Sequence, residues 1–253
     1  MASLRELLGL ISAHEWRKKG VEVPSLGGAP NNRIHPHCGV FSPVRGEYVA
    51  LVAKKTLPEH FKRDGSAQTW TAFDIGTGTG VLAAGLARHG VAHVVATELD
   101  PRARACALEN LTRLGVAEKV DSAVQLLQAD LFPAGRARLI VYNPSWIPAR
   151  PGSPIERAVY GDGSAMLPGF LNGLVAHLEP GGEGWLILSD LGEHLGLRTR
   201  AEFLAAVEAA GLQVVGRHDT APVHGEAADA DDPLHGARAL EMASLWRLQA
   251  RAS

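Results

Sequence analysis

At 253 residues, 46% apolar and 21% charged, the chain is long enough for one ordinary globular domain with a small appendage and a sizeable core. With 25 basic against 27 acidic side chains the net charge is −2, which leaves no electrostatic footprint for a phosphate backbone. No apolar run is long enough to span a membrane, and the first residues lack the pattern of a secretory leader. Cys38 and Cys106 have no Cys-x-x-Cys spacing, so the cytoplasm and reduced thiols are the expectation.

Leu4, Leu7, Leu8, Ile11 and Trp16 recur at helical spacing and predict a short amphipathic helix over 3–19. From Gly20 to Arg45 the composition turns to Gly, Pro, Asn and His without periodicity, which reads as a loop. Glu47 to Leu57 reads as a second helix, so residues 1–65 form a helical and looped extension covering the active site. Residues 66–253 form the main domain.

Strand-like runs then fall at 70–75, 92–97, 122–128, 137–142 and 184–189, with helix-like runs at 81–89, 101–114, 164–178 and 199–210. Alternation at these lengths predicts a doubly wound, mostly parallel sheet with helices on both faces. Leu212–Arg217 and Ala239–Leu248 break the rhythm with no helix visible between them, and predict an antiparallel terminal pair. The Ala-, Asp-, Gly- and His-rich stretch 224–238 between them reads as a loop.

Phe73-Asp-Ile-Gly-Thr-Gly-Thr-Gly-Val-Leu82 carries the first functional signal. Gly76, Gly78 and Gly80 follow an apolar strand directly, and glycine permits both positive φ and close approach of the main chain to a ligand. A helix leaves the turn, so its first amides face whatever sits there. A nicotinamide fingerprint would place its third glycine at position 81, and Asp74 would repel a pyrophosphate, so the turn suits a cationic ligand better.

These residues resemble the class I S-adenosylmethionine-dependent methyltransferases, whose first motif is an acid followed by Gly-x-Gly-x-Gly. The resemblance continues at Thr97-Glu98-Leu99-Asp100-Pro101, where it implies that Glu98 holds both ribose hydroxyls. Asp100 then caps the helix that begins at Pro101. At Gln128-Ala129-Asp130-Leu131-Phe132 it implies an acid that accepts from the adenine amino group and a neighbour that packs on the ring. It covers roughly residues 40–250 and implies a Rossmann-like seven-stranded sheet with an antiparallel last strand. The implied cofactor is S-adenosyl-L-methionine, bound by Asp74, Gly76, Thr77, Gly78, Gly80, Glu98, Leu99, Asp130, Leu131 and Asn143, with no metal.

Leu139-Ile-Val-Tyr-Asn-Pro-Ser-Trp-Ile147 is similar to the reactive segment of methyltransferases that modify planar nitrogen, Asn-Pro-Pro followed by an aromatic residue. An amide or aromatic amine delocalises its lone pair and is a poor nucleophile until acceptors hold its N–H groups in a pyramidal arrangement. The Asn143 side-chain oxygen and the Pro144 carbonyl could be those acceptors, with Trp146 stacking on the substrate or facing a sulfonium. Proline fixes its own φ and keeps Asn143 extended. Ser145 stands where the pattern has a second proline.

Ile147-Pro148-Ala149 and Tyr160-Gly161-Asp162-Gly163 are similar to the glutamine methyltransferases of release factors and ribosomal proteins. Gly39-Val-Phe-Ser-Pro43 resembles a segment of the ribosomal RNA guanine methyltransferases, whose usual acid is replaced around Arg45. The expected acceptor is a protein glutamine amide. An RNA base amino group or a small amine-bearing metabolite stands as the alternative, the second because the extension before the first strand is short. A catalytically silent nucleotide-binding protein is the reading from another class. His35-Pro-His-Cys38 supplies too few ligands for a metal and reads as a loop over the cofactor, and His224 and His235 read as solvated loop residues.

Overall fold

In the computed structural model, the described residues are 4–44, 46–53, 61, 70–117, 123–144, 163–221 and 235–252, with the side chains of 4–10, 163–165 and 235 set aside. The chain opens with α1 (Leu4–Lys19), the two-residue strands β1 (Val21–Glu22) and β2 (Arg33–Ile34), and α2 (Gly46–Ala53). There follow β3 (Thr71–Ile75), α3 (Val81–Arg88), β4 (His93–Thr97), α4 (Pro101–Arg113), β5 (Val124–Leu127) and β6 (Ala137–Tyr142). The rest is α5 (Gly163–His177), β7 (Leu178–Ser189), α6 (Leu191–His194), α7 (Arg200–Ala209), β8 (Leu212–Thr220), α8 (His235–Arg238) and β9 (Ala243–Ala250).

The seven long strands form one sheet in the order β5-β4-β3-β6-β7-β9-β8, and β9 alone runs against its neighbours. Continuous apolar runs such as Leu139–Tyr142 are buried on both sides, as a parallel sheet covered by helices requires. α2 packs on α3 and β9, and α3 on α4; Leu174 of α5 and Phe203 of α7 meet Gly184 and Trp246 on the other face. The chain reverses its strand order between β3 and β6, so the carboxyl ends of β4, β3 and β6 meet at the switch point where sheets of this kind bind ligands.

Asp100 caps α4 by accepting from the Arg102 amide at 2.8 Å, with Pro101 in the first turn, as expected from the sequence. Thr199 and Glu202 form a reciprocal capping box at α7. The segment expected to be a plain loop before Arg45 contains the β1–β2 hairpin and a single 3-10 turn at Pro24–Leu26. Val23, Leu26 and Ile34 from it join the main core. Arg88 donates to the carbonyls of Leu26 and Asn31, each at 2.5 Å, which fixes this segment on α3. The terminal antiparallel pair forms as expected, but β9 begins at Ala243 and the four-residue α8 lies before it. α6 was also unforeseen; both helices are too short to display a period.

Across the sheet's far end Glu183 is fully buried and receives Arg247 Nε at 2.7 Å and Trp185 Nε1 at 2.9 Å. Pairing of this kind offsets the cost of burying a charge. The tie joins β7 to β9 and is remote from the glycine turn.

Candidate active site

The turn after β3 is built by its three glycines. Gly76, Gly78 and Gly80 have φ of 61°, 56° and 81°, the left-handed region that side chains rarely enter. Gly80 begins α3, and a Cβ added there would meet Leu111 Cγ at 3.0 Å. A Cβ at Gly78 would meet nothing nearer than the Gly76 carbonyl at 4.0 Å, so on that side the main chain borders open space. Such a bare, preformed backbone concavity at a helix start is the shape a nucleoside-linked ligand requires. Gly80→Ala is expected to lower stability by about 2 kcal/mol through combined strain and crowding, read by urea unfolding.

Asp74 lies beneath the turn. Its carboxyl is 1% exposed and accepts from Thr77 Oγ1 at 2.6 Å and from the Ala83 amide at 2.9 Å. Burial pushes its pKa up to about 7, against the pull of those two hydrogen bonds. The structure thus gives Asp74 a supporting place, holding Thr77 and the first turn of α3 rather than lining open space. Thr77 is itself buried and binds the Thr97 carbonyl through its amide at 2.9 Å.

Glu98 follows β4 and reaches back to the turn. Its Oε2 accepts from the Gly78 amide and its Oε1 from the Asp100 amide, both at 3.0 Å. Burial raises its pKa above the ordinary carboxylate range, while the two amides oppose that rise. Each carboxylate oxygen keeps further lone-pair capacity for a diol. Leu99 is 55% exposed, an isolated apolar side chain beside this carboxylate.

Asp130 is exposed at the end of the β5 segment, and Leu131 after it has φ 60°, the one positive value for a non-glycine among the described residues. Strained backbone of this kind persists where surrounding contacts enforce it, commonly at ligand sites. Here the Leu131 carbonyl accepts from Thr97 Oγ1 at 2.7 Å, while Phe132 stacks on His177 at 4.3 Å.

β6 delivers Tyr142 opposite Ile75, so Asn143 leaves the sheet next to the glycine turn. Asn143 is partly buried and Pro144 buried. Trp146 and Ser145 lie outside the described residues, as do Ile147, Pro148, Ala149, Tyr160, Gly161, Asp162, Arg45 and His224; of His235 only its place in α8 is given. His35 and His37 sit on α4: His37 Nε2 meets Glu109 at 2.8 Å, and the His35 amide donates to Asn110 Oδ1 at 2.8 Å. Among the described residues no group of three or more His, Cys, Asp or Glu could hold a metal ion.

Three residues near the site gave no functional signal in sequence. Asn110 looks like an ordinary polar helix position, yet its amide bridges the Thr79 carbonyl of the glycine turn at 3.1 Å and the His35 carbonyl at 3.3 Å. Thr97 and Tyr142 read as strand interior, because alternation cannot tell a core neighbour from a ligand neighbour at a strand's last residue.

The strand order, the glycine turn and the acid-bearing strand ends make a Rossmann-like α/β fold of the kind found in methyltransferases. Residues 59–146 match the family model described as ribosomal protein L11 methyltransferase. The chain is 36% identical over 156 residues to the release factor glutamine methyltransferase of Cereibacter sphaeroides, covering 56% of this chain and 52% of that protein. It is 44% identical over 89 residues to the ribosomal protein L11 methyltransferase of Pelotomaculum thermopropionicum, covering 34% and 26%. The chain therefore spans about half the length of the first of these relatives, and less of the second.

Two solved structures share the fold. A ribosomal protein L11 methylase from Lactobacillus delbrueckii subsp. bulgaricus superposes with a TM-score of 0.55 at 16% identity, over 89% of this chain and 90% of that one. A methyltransferase from Pyrococcus furiosus gives 0.56 at 17% identity, over 98% and 100%. No helix among the described residues is long and apolar enough to cross a membrane.

Proposed function

We propose that this chain uses S-adenosyl-L-methionine to methylate a planar nitrogen, with the side-chain amide of a protein glutamine as acceptor. One observation carries the reading: the strand that pairs with β3 releases Asn143 and Pro144 beside the Gly76 turn, where an acceptor group and a cofactor cradle must meet. The names of the relatives support the protein acceptor.

When bound, the cofactor supplies an electrophilic methyl group on a sulfonium. Gly76 and Gly78 would offer it bare backbone on either side of Thr77; Glu98 would receive its ribose hydroxyls, Asp130 its base amino group, and Leu99 and Leu131 would flank the base. Asn143 Oδ1 and the Pro144 carbonyl accept the two N–H groups of the incoming amide and favour a pyramidal nitrogen with its lone pair available. Trp146, outside the described residues, would stack on the planar acceptor. The described part of the extension before β3 would cover this crevice. Catalysis by these groups is positioning and polar stabilisation.

Incubation with radiolabelled S-adenosylmethionine and fractionated lysate tests the acceptor. Label in protein, released as methylglutamine on enzymatic digestion, supports the reading; label only in RNA or small molecules overturns the acceptor. Titration with S-adenosylhomocysteine tests the cofactor, and Glu98→Ala is expected to weaken that binding about 10- to 100-fold through two lost charge-assisted hydrogen bonds. Unaltered affinity in that variant would remove Glu98 from the site.

A further inference from the structure

Tyr142 closes β6 immediately before Asn143, and its side chain is 1% exposed. Its hydroxyl has no hydrogen-bond partner among the described residues. A buried hydroxyl left unpaired destabilises a fold, so one that persists beside a ligand crevice needs a reason. Phenylalanine would fill the same space without that penalty.

The surroundings say where the hydroxyl sits. Tyr142 pairs with Ile75, and a Cβ on Gly76 would lie 3.6 Å from the tyrosine ring, so the ring borders the glycine turn itself. Phe170 of α5 packs on the ring at 4.7 Å between centroids. Asp130 and Glu98, from the ends of β5 and β4, are the charged groups that act on the phenol, and neither is hydrogen-bonded to it. Burial first, then those two carboxylates, push its pKa above the usual tyrosine range and keep it a protonated donor.

We propose that the Tyr142 hydroxyl is a cofactor ligand, hydrogen-bonding the nucleoside between the groups recognised by Glu98 and Asp130. This rests on the cofactor reading above. A hydroxyl donates and accepts at once, so it suits a ribose hydroxyl or a ring nitrogen equally. Its position one residue before Asn143 ties cofactor seating to the placement of the amide-binding group.

The test compares wild type with Tyr142→Phe by calorimetric titration of S-adenosylhomocysteine and of 5′-methylthioadenosine, together with the ligand-free Tm. The expected result is about tenfold weaker binding of both ligands with a Tm that is unchanged or higher, since the variant loses an unpaired buried hydroxyl. A residue that only supports the fold would lose Tm along with affinity. Equal affinities in the two proteins overturn the proposal while leaving the cofactor reading intact. A loss confined to S-adenosylhomocysteine also overturns it, by moving the contact to the amino-acid end. Absence of binding to wild type overturns the cofactor reading itself.

Discussion

Asn143→Ala is expected to lower kcat for methyl transfer about 10²- to 10³-fold while leaving the affinity for S-adenosylhomocysteine within about twofold of wild type. The asymmetry follows from what the side chain does. A planar amide in the ground state gains little from a second acceptor near its N–H groups, whereas the nitrogen gains fully once it pyramidalises and carries developing positive charge. An interaction made in the transition state and not in the ground state appears in kcat rather than in KM. Gly76, Gly78 and Glu98 lie at the ends of other strands, and the bond from the Gly78 amide to Glu98 does not involve Asn143. Asn143→Asp keeps an acceptor oxygen in place and should recover part of the lost rate. Single-turnover measurements with saturating labelled cofactor read both variants, and wild-type turnover in Asn143→Ala would remove the nitrogen mechanism.

The candidate site's outline is legible in the sequence because its signals are local. Left-handed glycines in a turn, an acid at a strand's end and a proline one residue after Asn143 each leave a mark that does not depend on distant chain. Asp74 shows where such reading stops. Its side chain alternates to the α3 face of β3, beneath the turn, and only the packed helix reveals that Ala83 is its partner. Asn110 was silent for the same reason: its partners, Thr79 and His35, are far away in sequence.

β7 gives the opposite lesson. Glu-Pro-Gly-Gly-Glu-Gly before Trp185 signals a turn, yet the strand runs from Leu178. The signal survives as a register shift in the pairing with β6, between Ala137 and Leu139, with Gly181 at φ 76°. Turn chemistry was present; it bent a strand instead of preceding one.

Removal of Asp74, which supports the glycine turn from beneath, is the second large effect expected. Asp74→Ala leaves the Thr77 hydroxyl and the Ala83 amide without their buried acceptor, a loss of about 2–4 kcal/mol. Asp74→Asn keeps an oxygen that can receive both and should fold normally. The two variants together separate charge from hydrogen bonding. Burial pushes the Asp74 carboxyl up to about 7 from an ordinary 3.8. The native state therefore holds the proton more tightly than the unfolded chain does. Stability from that proton is complete below the unfolded value and is lost as pH rises through about 7. Wild type should accordingly lose about 2–3 kcal/mol between pH 5 and pH 8 relative to Asp74→Asn, whose side chain does not titrate. Urea unfolding of both proteins across that window measures the difference directly, because every other titrating group is common to the pair. Parallel stability curves would mean that Asp74 is already ionised at pH 5, and that the turn beneath the cofactor cradle carries a permanent buried charge.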